Sequence, residues 1–167
     1  DTNVMKVYDT AGMEQYVVEE PIENIDWTLS EDSLKNVLGY DCIMATADYH
    51  GRKWTAWFTP EIPLQAGPWK LAGLPGLILE ADADNGVYSF VATGIQNTTR
   101  QISPVYLADR YEKVSRKDLL KAQRSFFDNP LGQINAKFGD KGVVVSGDVK
   151  FADASVVDLI ESDYHDK

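Results

Sequence analysis

The chain has one cysteine, two histidines and few basic residues, and each scarcity excludes something. Cys42 alone cannot close an intrachain disulfide, so disulfide stapling does not hold this protein together. A structural zinc site needs three or four nitrogen or sulfur ligands, and His50, His165 and Cys42 are too few and too scattered to supply them. No stretch of about 18 apolar residues exists, so no helical membrane span is expected. Lys and Arg number 16 against 26 Asp and Glu, a net charge of −10. That deficit disfavours nucleic acid and anionic lipid as partners, since both call for a basic stripe. Solubility is the plain consequence of such a surface.

Catalytic constellations are equally thin. His50 reads as a turn residue at a hairpin tip and His165 as part of a frayed end. Cys42 and His50 lie eight residues apart along one strand, on the order of 25 Å, too far for a nucleophilic dyad. The acidic run Glu80-Ala-Asp82-Ala-Asp84-Asn85-Gly86 imitates a calcium loop, but Ala83 breaks the required step, and a solvated strand face explains the alternation better. The glycines of Gly73-Leu74-Pro75-Gly76 have neither the lysine nor the following helix of a phosphate cradle. Paired carboxylates for glycoside chemistry stay open, because the spacing of Asp and Glu in space is invisible here.

With 44% hydrophobic and 25% charged residues, 167 residues suit one globular domain spanning 1–167. Val4 to Tyr8 reads as a strand directly after Asp1, and the chain is taken as a processed or truncated piece of something longer. Two hairpins carry their register in the sequence. A His50-Gly51 turn pairs Tyr49 with Arg52, Asp48 with Lys53, Thr46 with Thr55 and Met44 with Trp57, while Ala47, Ala45 and Ile43 oppose Trp54, Ala56 and Phe58 on a core face. Asn85-Gly86 signals a type I′ turn, which sets Leu77, Leu79, Ala81 and Ala83 on one face with Tyr88, Phe90 and Ala92. Val4–Tyr8 with Gln15–Glu19 forms a weaker hairpin, and Ile25–Leu29 a short strand. Ser115 followed by Asp118 caps a helix over 115–128, with Leu119, Ala122, Phe126 and Phe127 on one side and Asn129-Pro130 as its stop. Strands are expected around Val143–Val145 and Asp148–Phe151, and an apolar run at Val156–Ile160.

What the sequence has in abundance is rigid and aromatic residues between Trp54 and Gly76, where three of four tryptophans and four of seven prolines fall. Trp57, Phe58, Pro60, Ile62, Pro68, Trp69, Leu74 and Pro75 are the candidate binding residues. One reading makes them a tightly packed crossover held extended by proline. The other makes them a rigid apolar pocket or ridge, whose preset rings lose little entropy when a guest binds. The two are compatible.

Gly39-Tyr40-Asp41-Cys42-Ile43-Met44-Ala45, Gly51-Arg52, Ala56-Trp57-Phe58-Thr59-Pro60-Glu61-Ile62-Pro63, Gly67-Pro68-Trp69-Lys70 and the hexapeptide Gly73-Leu74-Pro75-Gly76-Leu77-Ile78 occur in that order. The chain resembles the GLPGLI family over residues 39 to 95, and more loosely around Asn129-Pro130. Ile43 and Met44 depart mildly from the polar residues that pattern has after the cysteine. The resemblance implies an exported protein of the Gram-negative envelope, in the periplasm or outer envelope, and transfers no catalytic residue. Its Trp-Phe-x-Pro pattern is similar to that of curved-sheet, half-barrel envelope carriers, a likeness of fold only.

The expected fold is α+β, mainly β: an antiparallel, twisted and curved, half-barrel-like sheet with one principal helix. The expected function is non-enzymatic binding of an apolar ligand, peptide or envelope protein through residues 54–78, with no cofactor and no metal. A carboxylate-using hydrolase is the alternative, and a structural or assembly component of the envelope a third. An open sheet edge would admit a homodimer.

Overall fold

The computed structural model describes residues 4–84, 86–101, 103, 107–142, 159–161 and 163. The strands in chain order are β1 (Val4–Ala11), β2 (Glu14–Pro21), β3 (Thr28–Val37), β4 (Tyr40–Tyr49), β5 (Arg52–Thr59), β6 (Leu77–Ala83), β7 (Ser89–Val91) and β8 (Glu112–Lys113); the helices are α1 (Arg116–Asp128) and α2 (Pro130–Phe138). Among the described residues the protein is thus mainly β, with two helices, and the strands form two open sheets. The single curved, half-barrel-like sheet expected from the sequence gives way to these, neither of them closed or strongly curled. The chain divides into two compact units, one from Asp1–Ile22, Ile102–Leu159 and Asp166–Lys167, the other from Glu23–Gln101 and Ile160–His165.

In the first unit the weak hairpin forms as expected, with Ala11 opposite Glu14 and Val4 opposite Pro21. β8 adds to it in parallel, Tyr16 opposite Glu112, so this sheet is mixed. Gly12 takes φ +61 at the turn, and a Cβ there would fall 2.3 Å from the Phe126 ring, because α1 docks on the hairpin. Leu119 and Leu120 are buried beneath it, and Gln123 Nε2 donates to Asp9 Oδ2 and to the Thr10 carbonyl, both at 3.1 Å. Ser115 caps α1 by accepting from the Asp118 amide at 3.1 Å. Asn129 ends α1 as expected, but it also opens an unforeseen helix. Its Oδ1 accepts the Gly132 amide at 3.0 Å, and Pro130 occupies the first position of α2, where a missing N–H costs nothing. The strands expected at 143–145 and 148–151, most of the apolar run at 156–160, and His165 lie outside the described residues.

The second unit is a five-stranded antiparallel sheet in the order β3-β4-β5-β6-β7. The β4–β5 pairing has the expected register at all seven positions, Tyr49–Arg52 through Ile43–Phe58. His50 and Gly51 take φ 50° and 79°, as a type I′ turn demands, and Leu38 and Gly39 repeat that device between β3 and β4 at 54° and 88°. The strand expected at 25–29 instead begins at Thr28 and runs to Val37, interrupted by a bulge between Ser30 and Leu34. The β6–β7 register also holds, Ala81 opposite Phe90. Its facing does not hold throughout. β6 carries one extra residue against β5, since Trp57 pairs with Glu80 and Phe58 with Ile78. Leu79 is left over in the bulge, and the alternation breaks there. Ile78, Ala81 and Ala83 face the main core with Trp54, Phe58, Leu71 and Leu74, while Leu79 packs on the opposite face with Val37 and Cys42, against Leu77, Trp57 and Ala92.

Candidate functional site

The hexapeptide is explained by the seam it closes. Gly73 has φ +91, a conformation other residues reach only with strain. It turns the chain so that Leu74, 1% exposed, enters the main core while Pro75 stays outside. At Gly76 the backbone runs against the end of β5, and a Cβ would sit 2.1 Å from the Thr59 carbonyl oxygen. Directly afterwards the Leu77 amide donates to the Ile62 carbonyl at 3.1 Å and the Ile78 amide to that of Ala66 at 2.9 Å, sewing the start of β6 to the proline-rich loop. Gly67 is equally constrained, its missing Cβ 2.5 Å from the Leu71 carbonyl oxygen.

The candidate binding residues do not converge on one pocket. Phe58 and Leu74 are buried in the main core. Trp57 lies on the other face, with the Lys35 ammonium 5.5 Å from its ring. Pro60 and Pro75 are exposed and Ile62 half-buried on the loop. Leu74 and Pro75 line an open cleft of about 440 Å³ with Gly73 and Ile25–Leu29. Trp27 forms part of that wall and is tied to the loop by Nε1 donating to the Ala72 carbonyl at 2.9 Å. Pro68 belongs to a separate cleft of about 430 Å³, with Ile78, Leu79 and Ser89–Ala92.

Trp69 has the most unusual seat. Its φ is +52, in the left-handed region that a bulky side chain rarely enters. Its ring lies 5.6 Å from Trp54, 5.8 Å from Tyr49 and 6.0 Å from His50, each measured between ring centres. Next to it Lys70 is buried and pairs with the buried Glu161, Nζ to Oε1 at 2.6 Å. His50 is the turn residue expected, but its side chain is buried, 7% exposed, with Nδ1 3.2 Å from Asp163 Oδ2 and Nε2 3.9 Å from Glu23 Oε2. Arg52 Nε donates to the Ile160 carbonyl at 2.8 Å. Three residues from the hairpin tip and the loop, His50, Arg52 and Lys70, thus hold Ile160, Glu161 and Asp163. Glu161 and Asp163 follow an apolar run and are more than 100 positions from His50, so no local spacing pointed to them.

Cys42 is 0% exposed, and burial pushes its thiol above the ordinary value, with the Glu80 carboxylate adding to the shift. That environment keeps the sulfur protonated and a poor nucleophile.

Residues 48–80 match the family model described as "Protein of unknown function (Porph_ging)", which is the GLPGLI family of Bacteroidetes proteins. The match covers 33 of the 167 residues, so the likeness to that family is a likeness of this segment. The matched span starts at the β4–β5 turn, takes in the loop and its buried Trp54, Leu71 and Leu74, and ends in β6. No curated protein matches the chain. Among solved structures, that of PNGF-II in a C2 space group is similar over 70% of this chain and 22% of that one, at 14% identity and a TM-score of 0.49. The chain therefore spans under a quarter of that protein's length.

Proposed function

We propose that this protein belongs to the GLPGLI family and is a non-catalytic component of the cell envelope that holds an extended apolar segment of a partner polypeptide. The segment would lie in the cleft between Ile25–Leu29 and the hexapeptide turn. One observation carries the reading: the cleft, about 440 Å³, has one wall of backbone set by Gly73-Leu74-Pro75 and another that runs into the start of β3. Among the described residues β3 is an edge strand, so peptide groups along its outer side can bond a visiting strand. Leu29 and Leu34 sit opposite Ala45 and Ile43, and so on the face of the main core, and are 42% and 69% exposed. Leu29 lines the cleft, and Leu34 extends the apolar face beyond it. The turn is already rigid, which lowers the entropy lost on binding. The bulge that carries Glu31 and Asp32 would confine pairing to the two ends of the strand. The envelope location is supported by the family resemblance.

The test is titration of a dansylated peptide of alternating valine and threonine. Wild-type protein should bind it, and Leu29→Asp should weaken binding by about tenfold or more with an unchanged melting temperature. No binding by the wild type, or equal binding by Leu29→Asp, would remove the proposal. Fractionation of the native host should place the protein with the envelope; recovery with the cytosol would refute that half.

A further inference from the structure

We infer that His50, Glu161 and Asp163 form a binding site for a first-row divalent cation, with zinc as its representative. Their ligand atoms lie within 4.8 Å of one another. His50 Nδ1 and Asp163 Oδ2, 3.2 Å apart, already have the separation of two ligands on one tetrahedral zinc, about 3.3 Å for metal–ligand bonds of about 2.0–2.1 Å. One imidazole and two carboxylates are a borderline nitrogen–oxygen set, suited to zinc better than to calcium or magnesium.

Two further features point the same way. His50 turns its other ring nitrogen toward Glu23, Nε2 to Oε2 at 3.9 Å. At that distance no hydrogen bond is formed, but a small movement of the exposed Glu23 side chain would bring its carboxylate onto the second nitrogen, the partner that fixes the tautomer and orientation of metal-bound histidines. The imidazole is also held in place before any ion arrives, by the turn at φ 50 and by the Tyr49 ring 4.0 Å away. Access is graded: the side chains of His50 and Glu161 are 7% and 6% exposed, but that of Asp163 is 31% exposed and gives an ion a way in.

Lys70 opposes the ion, because its ammonium now holds Glu161 at 2.6 Å. It also lies 5.6 Å from the centre of the Trp69 ring, a second seat for a displaced cation. Binding is therefore an exchange in which the metal takes Glu161 and Lys70 settles over the indole. That exchange makes the test specific. Zinc binding is followed by calorimetry on the full chain, and cobalt binding by quenching of tryptophan emission, since the Trp69 ring is 6.0 Å from the imidazole. His50→Asn and Asp163→Asn should each weaken zinc binding by at least about tenfold, and Glu23→Gln should weaken it by about tenfold through the second nitrogen. Lys70→Met should bind zinc more tightly than wild type by about tenfold or more, and should gain melting temperature on adding zinc. The inference is overturned if wild-type protein takes up no zinc at millimolar concentration, or if Asp163→Asn binds as well as wild type. Should His50→Asn fail to fold, the half-exposed Asp163 decides.

Discussion

Gly76 and the Thr59 carbonyl are in such close approach that the Cβ the glycine lacks would lie 2.1 Å from the oxygen. Both partners are backbone, so neither can rotate aside. Gly76→Ala must therefore move the start of β6 away from the end of β5, and should cost about 3 kcal/mol or more. Gly73→Ala has open space around its new methyl and only the φ of +91 to resist it, which should cost about 1 kcal/mol. Urea midpoints of the two variants check the order; equal losses would mean the seam is looser than it stands here.

The helix junction gives a second prediction. The Asn129 side chain accepts from the Gly132 amide at 3.0 Å, and a Cβ at Gly132 would sit 2.2 Å from Asn129 Nδ2. Asn129→Ala should cost about 1 kcal/mol through the lost cap. Gly132→Ala in the wild type gains helix propensity but pushes the cap aside. In the Asn129→Ala background that obstacle is gone, and the same change should stabilise by about 1 kcal/mol. A double-mutant cycle by thermal unfolding reads the difference directly; additive effects would exclude the collision.

Burial holds the Cys42 thiol above its ordinary value, so the folded chain keeps a proton that the unfolded chain releases first. The sign follows: this contribution is fully present below the unfolded thiol value and is lost as pH rises through the folded one. Stability should fall on the alkaline side of about pH 9, and Cys42→Ala should flatten that part of the profile. In the native protein the thiol should resist a disulfide reagent and react only on unfolding. Rapid native labelling would contradict the 0% exposure.

What could be read from the sequence was what neighbours along the chain decide. The β4–β5 register followed from charge, threonine and apolar pairs that all agreed around one two-residue turn, and the Ser115 cap from three adjacent positions. The extra residue in β6 left no such trace, because Leu77, Ile78 and Leu79 are all apolar and any of them could face the core. Asn129-Pro130 was ambiguous in the same way: a helix stop and a helix start share those residues. The cluster on His50 was hidden for a different reason. Its carboxylates come from far along the chain, and only the fold brings Glu161 and Asp163 to the hairpin tip. The candidate aromatics were visible as a group, and strand alternation already divided Phe58 from Trp57; the seats of Pro68, Trp69, Leu74 and Pro75 depend on the path of the loop, which no periodicity encodes.

Trp54, Trp57 and Trp69 should then differ sharply, although they belong to one aromatic segment. Trp54 is 0% exposed and donates Nε1 to the Tyr49 carbonyl at 3.3 Å, so Trp54→Ala should cost about 3–5 kcal/mol. Trp57 is half-buried on the other face, and Trp57→Ala should cost about 1 kcal/mol. At Trp69 the backbone itself is under strain at φ +52, and alanine would inherit it while glycine would not. Trp69→Gly should therefore be more stable than Trp69→Ala by about 1 kcal/mol, the reverse of the usual order of these two residues. Chemical denaturation of the pair measures this without reference to any ligand. If alanine proves the better replacement, Trp69 does not occupy the left-handed region, and the ring cluster around His50 must be set by some other path of the loop.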